Sequence, residues 1–242
     1  MHRFFIPPEW IGQSGVVITG EQAHQIKNVL RLKNGDRVIM LNNSGAEYEL
    51  DLINITSSQV TGKIVEKRSS SGEPNIKITL YQSMLKGGKL DIVLQKCTEI
   101  GVTRFAPMIC ERTISRDPGN SRQDRWKKII REAAEQSGRG KVPILEPILD
   151  FSKACENAVG ISFLPWEEES ELGIKSAISK TGKINQLNIF IGPEGGFTKE
   201  EIELARSHGI IPVTLGKRIL RAETAGMVIA SVICYENGEM GS

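Results

Sequence analysis

The most constraining feature of this sequence is an alternation, from residue 76 onward, between short apolar runs and segments with helical periodicity. Apolar runs bounded by turn residues predict strands, and amphipathic segments predict helices. Such an alternation predicts a mostly parallel sheet that is covered on both faces and binds ligands at the carboxyl ends of its strands. The predicted strands cover residues 76–84, 104–109, 143–146, 160–164, 187–191 and 211–215, and the predicted helices cover residues 89–100, 122–137, 151–158, 171–180, 199–207 and 222–235.

The first 70 residues have a different pattern, typical of a small β-barrel. Short runs with strand character at residues 16–18, 36–41, 47–53 and 60–65 are separated by turn residues. One amphipathic helix, residues 19–32, interrupts them, and a T-x-x-Q capping box at Thr19 is predicted to open it. Because residues 67–75 (KRSSSGEPN) lose all periodicity, we predict a β-barrel domain of residues 1–70 followed by an α/β domain of residues 71–242.

The composition argues against several classes of protein. Hydrophobic residues make up 39% and charged residues 25% of the 242 residues, as in a globular protein, and no apolar run approaches the length of a membrane span. The N-terminus is not expected to be a signal peptide. Cys97, Cys110, Cys155 and Cys234 are far apart, with no histidine at metal-ligand spacing, which predicts buried reduced thiols in a cytoplasmic protein and no metal site. The net charge of +2 indicates nucleic-acid binding only if basic residues cluster locally.

The segment Phe190–Phe197 (FIGPEGGF) is a strand end that breaks into a glycine-rich turn, which we call the GPEGGF loop (192–197). Thr198 and Glu201 form a capping box that predicts the start of the next helix. Glycines allow a ligand to lie against bare main chain. A phosphate-binding P-loop would need a lysine after the last glycine, and a dinucleotide fingerprint would need a different glycine spacing. A ligand-binding loop of another kind and a plain tight turn remain as interpretations.

A second glycine turn follows the last predicted strand, in a segment that we call the LGKRILR loop (215–221). Ile219 and Leu220 are apolar residues in a loop, and Arg221 and Glu223 flank an alanine just before a helix of small apolar residues. Apolar side chains beside a glycine turn favour a pocket for a flat, partly apolar ligand such as an adenine ring.

Basic residues accompany the predicted helix of the barrel. His24 and Arg31 lie outside its apolar stripe, Lys33 follows the helix, and Arg3 is more distant. One interpretation is a solvated face, and the other is an edge that contacts RNA phosphates on a small barrel.

Four motifs, in this order along the chain, resemble one family. QKCTEIGV at residues 95–102, EAAEQSGR at 132–139, GPEGGF at 192–197 and LGKRILRAETA at 215–225 are similar to RsmE-type 16S ribosomal RNA (uridine-N3) methyltransferases of the SPOUT superfamily. The opening HRFF and VLRLKNGD at residues 29–36 extend the resemblance over nearly the whole chain.

This resemblance implies a fold and an activity. The fold would be a SPOUT-type α/β domain with a trefoil knot, preceded by a PUA-like β-barrel. The protein would be a homodimer with composite active sites, and S-adenosylmethionine would donate a methyl group to N3 of one uridine in 16S ribosomal RNA, in the small ribosomal subunit. Neither a metal nor a covalent nucleophile would be needed, because the donor brings its own electrophile.

The resemblance also implies roles for individual residues. Arg221 would stabilise the negative charge that develops on uracil when N3 loses its proton, and Glu223 would either orient Arg221 or relay the proton. The structural alternative is an Arg221–Glu223 ion pair that caps the helix. The donor would be held by Leu164, Gly192, Pro193, Glu194, Gly195, Gly196, Leu215, Gly216, Ile219, Leu220, Thr224 and Ala225. RNA would be contacted by Arg3, His24, Arg31, Lys33, Lys96, Arg112 and Arg139.

Two other functions stay open at this point. The first is methylation of transfer RNA or of another base by the same fold. The second is a catalytically idle RNA-binding assembly factor, which the absence of S-adenosylmethionine binding would indicate.

Overall fold

The structure is a computed structural model that describes residues 1–56, 58–115, 119–182 and 184–241. The chain forms two compact units. The first consists of Met1–Glu73 together with Ala134–Val142, and the second of Pro74–Ala133 together with Pro143–Ser242. The predicted division at residue 70 did not include the second segment of the first unit.

The first unit is built on a five-stranded, curled half-barrel sheet. Its strands, in spatial order, are β1 (His2–Phe5), β3 (Arg37–Leu41), β4 (Ala46–Ile55), β5 (Gln59–Ser69) and β2 (Gly15–Thr19). β1 pairs with β3 in parallel, and the other three pairs are antiparallel. Two register shifts between β4 and β5 mark bulges, which bend and twist a strand pair.

Both faces of strand β3 are covered by apolar residues. Val38 and Met40 belong to the main core of this unit, which also contains Ile26 from the helix. Ile39 and Leu41 point the other way and pack in a smaller cluster with Phe5 and with Ala134 from the second segment. This explains why β3 reads as a nearly continuous apolar run rather than an alternating one.

The helix of the first unit differs from the prediction. Instead of one regular helix over residues 19–32, an α-helix α1 (Gly20–His24) widens into a π-helical turn (Gln25–Val29), and Leu30 N–H donates to the carbonyl of Gln25 at 2.9 Å. The predicted capping box is wrong, because the Thr19 side chain makes no capping bond. Thr19 is the last residue of β2, and Gly20 turns the chain with a φ of 61°.

The second unit contains a seven-stranded sheet whose pairs are all parallel. Its strands, in spatial order, are β12 (Ile211–Val213), β10 (Ile161–Pro165), β11 (Gln186–Ile191), β6 (Lys77–Ser83), β7 (Arg104–Ile109) and β8 (Ile144–Leu145), and β9 (Leu149–Asp150) also pairs with β7. The helices are α2 (Lys89–Ile100), α3 (Gly119–Gln136), α4 (Phe151–Asn157), α5 (Ile174–Thr181), α6 (Lys199–Ser207) and α7 (Ala222–Glu236). The predicted parallel α/β sheet is therefore confirmed. The last residues of α3, from Ala134 onward, belong to the first unit.

Two packing features fix the region that follows β11. Phe190 in β11 is fully buried and stacks on Tyr81 of β6 with the ring centroids 4.4 Å apart. Helix α7 packs closely on the same two strands at Gly226, where an added Cβ would lie 3.3 Å from Oε1 of Gln82 and 3.7 Å from Ile191. The end of β11 and the start of α7 are therefore held close together.

All four cysteines are free and buried, as predicted. Burial raises the pKa of each of the Cys97, Cys110 and Cys155 thiols, that of Cys155 to about 12. Within the described ranges, no helix is both long and apolar enough to span a membrane.

Candidate active site

Three loops at the carboxyl edge of the parallel sheet form the candidate site. The first follows β10 and begins at Trp166, the GPEGGF loop follows β11, and the LGKRILR loop follows β12 and leads into α7. The carboxyl ends of adjacent parallel strands meet at one edge, where open α/β sheets bind their ligands. Both loops that the sequence singled out therefore lie at the same edge.

The GPEGGF loop is anchored at its carboxyl end. The Thr198 hydroxyl accepts a bond from the Glu201 N–H at 3.2 Å, and the Glu201 carboxylate accepts one from the Thr198 N–H at 2.9 Å. The predicted capping box of α6 is confirmed. Phe197, only 3% exposed, packs against Phe151 with ring centroids 5.4 Å apart. The loop thus ends in a buried aromatic residue, followed by a helix N-terminus whose capping box is complete.

Two glycines of this loop are required by their own surroundings. Gly196 has a φ of 70°, and a Cβ there would lie 2.2 Å from a carboxylate oxygen of Glu167. A Cβ on Gly192 would lie 3.0 Å from the ring of Phe197. Side chains at these positions would disturb the loop even before any ligand is considered.

Arg112 holds the GPEGGF loop from outside. Its guanidinium donates to the carbonyl of Gly195 at 2.7 Å and to that of Phe197 at 3.5 Å. Glu111, the residue before Arg112, is also held in place, because the Glu201 carboxylate accepts a bond from the Glu111 N–H at 2.9 Å. The structure therefore places Arg112, a predicted RNA-binding residue, where it positions the glycine loop.

Two adjoining cavities open between the three loops. The GPEGGF cavity, of about 390 Å³, lies between the GPEGGF loop and the start of α7. The LGKRILR cavity, of about 490 Å³, lies between the loop after β10 and the LGKRILR loop. Five residues line both: Pro165, Glu167, Ile219, Leu220 and Ala225. The two cavities are thus compartments of one cleft.

Most of the residues predicted to hold a donor line this cleft. Gly192, Pro193, Glu194 and Gly196 line the GPEGGF cavity, Leu215 and Gly216 line the LGKRILR cavity, and Ile219, Leu220 and Ala225 line both. Leu164, Gly195 and Thr224 line neither cavity. Leu164 is fully buried in the core below, and Thr224 is exposed on α7.

Lys89, Pro165 and Glu167 are among the lining residues that the predicted donor and catalytic sets did not include. Pro165 is the last residue of β10, and extending the predicted strand by one residue would have found it. Glu167 lies two residues further along the chain, in the loop after β10. Lys89 is the first residue of α2 and follows a Gly-Gly turn after β6, and no motif pointed to it.

Lys89 joins two carboxylates at the wall of the GPEGGF cavity. Its ammonium lies 3.3 Å from Glu194 of the GPEGGF loop and 3.6 Å from Glu223 of α7. Burial raises the pKa of Glu194, but backbone N–H groups, including that of Lys86 at 3.2 Å, and the Lys89 ammonium outweigh it and hold this pKa below its ordinary value. Glu194 is therefore ionised, and Lys89 links the glycine loop to the start of α7.

Arg221 and Glu223 stand at the start of α7 without touching each other. Arg221 is exposed, its backbone carbonyl accepts bonds from Thr224 and Ala225 at 2.9 Å, and its side chain makes no capping bond. Oxygen Oε2 of Glu223 is buried without a hydrogen-bond partner, and its nearest cation is Lys89. Neither an Arg221–Glu223 capping pair nor orientation of Arg221 by Glu223 has a contact to support it among the described residues.

The residues predicted to bind RNA fall into two groups. His24, Arg31, Lys33 and Lys96 are exposed, although Lys96 pairs with Glu99 at 2.8 Å. Arg3 and Arg139 are engaged inside the first unit: Arg3 pairs with Glu47 and donates to the carbonyl of Gly138, and Arg139, only 2% exposed, pairs with Glu73. Their guanidinium groups serve the first unit's own packing in this structure.

Comparison with known proteins decides the family. Two family models match: an RNA methyltransferase domain over residues 72–234 and an RNA methyltransferase PUA domain over residues 18–65. A relative from Synechocystis sp., named ribosomal RNA small subunit methyltransferase E, is 34% identical over 235 residues, which cover 96% of this chain and 77% of the relative. The chain belongs to the ribosomal RNA small subunit methyltransferase E family. A Bacillus subtilis protein of that name is 33% identical over 90% of this chain and 89% of its own.

Solved structures agree with this assignment to the methyltransferase E family. A ribosomal RNA small subunit methyltransferase E from Neisseria gonorrhoeae, bound to S-adenosylmethionine, matches with a TM-score of 0.88 at 29% identity and covers 98% of both chains. A methyltransferase from Legionella pneumophila, also with bound S-adenosylmethionine, matches with a TM-score of 0.87 at 28% identity over 97% of both chains. The predicted PUA-like barrel followed by an α/β methyltransferase domain is confirmed, and the trefoil knot stays a prediction.

Proposed function

We propose that this protein transfers a methyl group from S-adenosylmethionine to N3 of a uridine in 16S ribosomal RNA. The observation that carries the proposal is the cleft between the GPEGGF and LGKRILR loops, in a chain that matches methyltransferase E proteins over 96% and 98% of its length. Cavities of about 390 and 490 Å³ are within the usual size range of cofactor sites.

The residues of the cleft fit this donor. The GPEGGF loop presents its glycine residues to one cavity, and Ile219, Leu220 and Ala225 provide apolar surface to both cavities. Gly216, with a φ of 115°, lines the LGKRILR cavity and has no atom within 4 Å of an added Cβ, so a side chain there would occupy ligand space. When bound, the donor supplies an electrophilic sulfonium methyl group.

The residues at the start of α7 are suited to activating the methyl acceptor, uracil N3. Uracil N3 becomes nucleophilic only when its proton leaves, and negative charge then spreads onto both ring carbonyl oxygens. Arg221 is an exposed cation at the wall of the GPEGGF cavity, where it would stabilise this charge. The proton would pass to the carboxylate of Glu223, a residue that lines the same cavity and whose Oε2 has no hydrogen-bond partner, with the Lys89 ammonium 3.6 Å away. We therefore assign Glu223 as the proton acceptor rather than as an orienting residue.

RNA binding by the first unit is part of the same proposal. His24 ends α1 just before the π-helical segment, Arg31 and Lys33 lie in the turn just after it, and all three are exposed. Arg31 has a left-handed φ of 54°. π-helical turns in helices are frequent at functional sites. We propose that residues 1–70 form the RNA-binding domain, that residues 71–242 form the methyltransferase domain, and that both act in the cytoplasm.

A homodimer is proposed from the surface of α7. Met227, Val228 and Val232 are only partly buried, and Tyr235 is 66% exposed. A second copy of the chain would cover this apolar face. Light scattering of the purified protein tests this, and a monomer at micromolar concentration would contradict it.

The activity is tested with small ribosomal subunits and ribosomal RNA from cells that lack this protein. We expect the purified protein and isotopically labelled S-adenosylmethionine to place one labelled N3-methyluridine in 16S RNA, as read by mass mapping of its fragments. Label in transfer RNA or on another base would favour the alternative substrates. No S-adenosylmethionine binding by calorimetry would favour the idle assembly factor.

A further inference from the structure

The LGKRILR loop exposes an apolar side chain between the two cavities. Ile219 lines both cavities, yet it is 86% exposed. Its neighbour Leu220 is partly buried and also lines both. The base of the loop is fixed, because Gly216 N–H donates to the Thr214 hydroxyl at 3.2 Å and Thr214 N–H donates to the carbonyl of Leu172 at 2.9 Å. Ile219 and Leu220 therefore lie on a loop whose base is fixed, and the exposed Ile219 side chain gains significance from the charges around it.

The same loop carries three unpaired cations. Lys217, Arg218 and Arg221 are exposed, and none of them has a carboxylate partner in the part of the chain that the structure describes. Nearby cations of this unit differ, since Lys89 and Lys96 are each paired with glutamates. Unpaired cations that surround an apolar side chain suit a polyanion with apolar faces, which is the chemistry of single-stranded RNA.

We propose that the LGKRILR loop docks the RNA strand that flanks the target uridine, with Lys217 and Arg218 contacting phosphates and Ile219 packing against a flanking nucleobase. This inference rests on the proposed function, and it adds that the LGKRILR loop binds the RNA strand next to the reacting base. The opposite wall carries Glu167, which lines both cavities and repels phosphates. The strand would therefore run along the side of Lys217 and Arg218.

The first test is the salt dependence of RNA binding by the Lys217→Ala/Arg218→Ala double variant. The probe is a single-stranded 16S RNA fragment that the wild-type protein methylates, with S-adenosylhomocysteine present at saturation. Each phosphate contact to a single strand contributes about 0.7 to the slope of log affinity against log salt, so the loss of two should lower the slope by about 1.4. The affinity for S-adenosylmethionine should fall less than the affinity for RNA, although both residues line the LGKRILR cavity.

The matched control is the Lys77→Ala/Lys180→Ala variant, which makes the same change in net charge. Lys77 begins β6 and Lys180 lies near the end of α5, and both are exposed and line neither cavity. This variant should keep the wild-type slope. A fall in slope equal to that of the loop variant would mean that net charge, and not the loop, sets RNA binding, and it would overturn the proposal.

Ile219 is tested separately, because its contribution is not electrostatic. Ile219→Ala should weaken RNA binding about fivefold, since only one face of the side chain would be covered, and it should leave the salt slope unchanged. Ile219→Leu should restore most of the affinity. Photochemical crosslinking of the wild-type complex should also join the RNA to a peptide containing residues 217–221.

The outcomes separate this inference from the proposed function. A wild-type protein that methylates RNA, with loop variants of wild-type affinity and slope and no crosslink at residues 217–221, would overturn the docking site alone. A wild-type protein that binds no S-adenosylmethionine would overturn the proposed function. Equal losses of donor and RNA affinity in the Lys217→Ala/Arg218→Ala variant would assign these two cations to the donor cavity and would also overturn the docking site.

Discussion

Replacement of Gly196 by alanine tests how the GPEGGF loop builds the donor site. Gly196 has a φ of 70°, and an added Cβ would lie 2.2 Å from Oε1 of Glu167. The left-handed conformation costs an alanine about 1–2 kcal/mol. The contact itself costs less, because an exposed glutamate can move its carboxylate away by changing rotamer. Most of the penalty should therefore come from the backbone.

These magnitudes give two measurable effects. A loss of about 1–2 kcal/mol lowers the melting temperature by about 2–8 °C for a unit of this size. If the loop relaxes to another conformation in the free variant, binding of the donor must return it to the strained conformation. The same energy then lowers the affinity for S-adenosylmethionine about 5- to 30-fold. Thermal unfolding and titration calorimetry measure the two effects.

Two variants sharpen the Gly196→Ala test. Gly209→Ala has the same kind of backbone cost, with a φ of 75° and no atom within 4 Å of the added Cβ, but it follows α6 and lies outside the cleft. It should lose similar stability and keep its donor affinity. Adding Glu167→Ala to Gly196→Ala removes the contact and should recover only a small part of the loss. Wild-type donor affinity in Gly196→Ala, or full recovery in the double variant, would refute this reasoning.

Three further predictions concern charge and burial. Arg221→Ala should lower single-turnover methyl transfer about 100- to 1000-fold with donor affinity nearly unchanged, and wild-type turnover would refute the assignment. Burial raises the pKa of Glu47, but Arg68 and Arg3 outweigh it and lower the pKa, so its stabilisation is complete above the unfolded pKa and is lost as the pH falls through the folded value. Glu47→Gln should therefore cost about 1–3 kcal/mol in neutral urea unfolding and much less in acid, and an equal cost at both would contradict this. Because burial raises the pKa of Cys155 to about 12, iodoacetamide should not label it at neutral pH until the protein unfolds, and rapid labelling of native protein would count against its burial.

The two capping boxes show where local sequence suffices to predict structure and where it fails. Thr198 and Glu201 form theirs because Thr198 lies in the loop after β11, outside any strand. Thr19 has the same spacing to Gln22, but its backbone is already paired with Gln59 in the sheet, and Gly20 turns the chain. A four-residue sequence pattern cannot predict a strand pairing between residues that are 40 positions apart in the chain.

The candidate site shows the same limit. The glycine loops and the start of α7 could be located from the sequence, because strand ends and glycine turns are local signals. Lys89 could not, since its proximity to Glu194 and Glu223 depends on how α2 packs beside β11 and α7. Likewise, Arg112 was predicted to contact RNA, and only the folded chain reveals its bond to the carbonyl of Gly195.

The first unit is assembled from two separate segments of the chain, and this affects the order in which the protein can fold. Its sheet ends at Ser69, but Phe5, Ile39 and Leu41 are covered only when Ala134 arrives, and the Phe5 N–H donates to Glu135. Chains begin to fold as they leave the ribosome. The apolar face of β3 that carries Ile39 and Leu41 therefore stays uncovered until the chain has been synthesised as far as residue 142. A fragment of residues 1–70 produced alone would therefore keep that surface and be prone to aggregate, whereas a fusion that restores residues 134–142 would not.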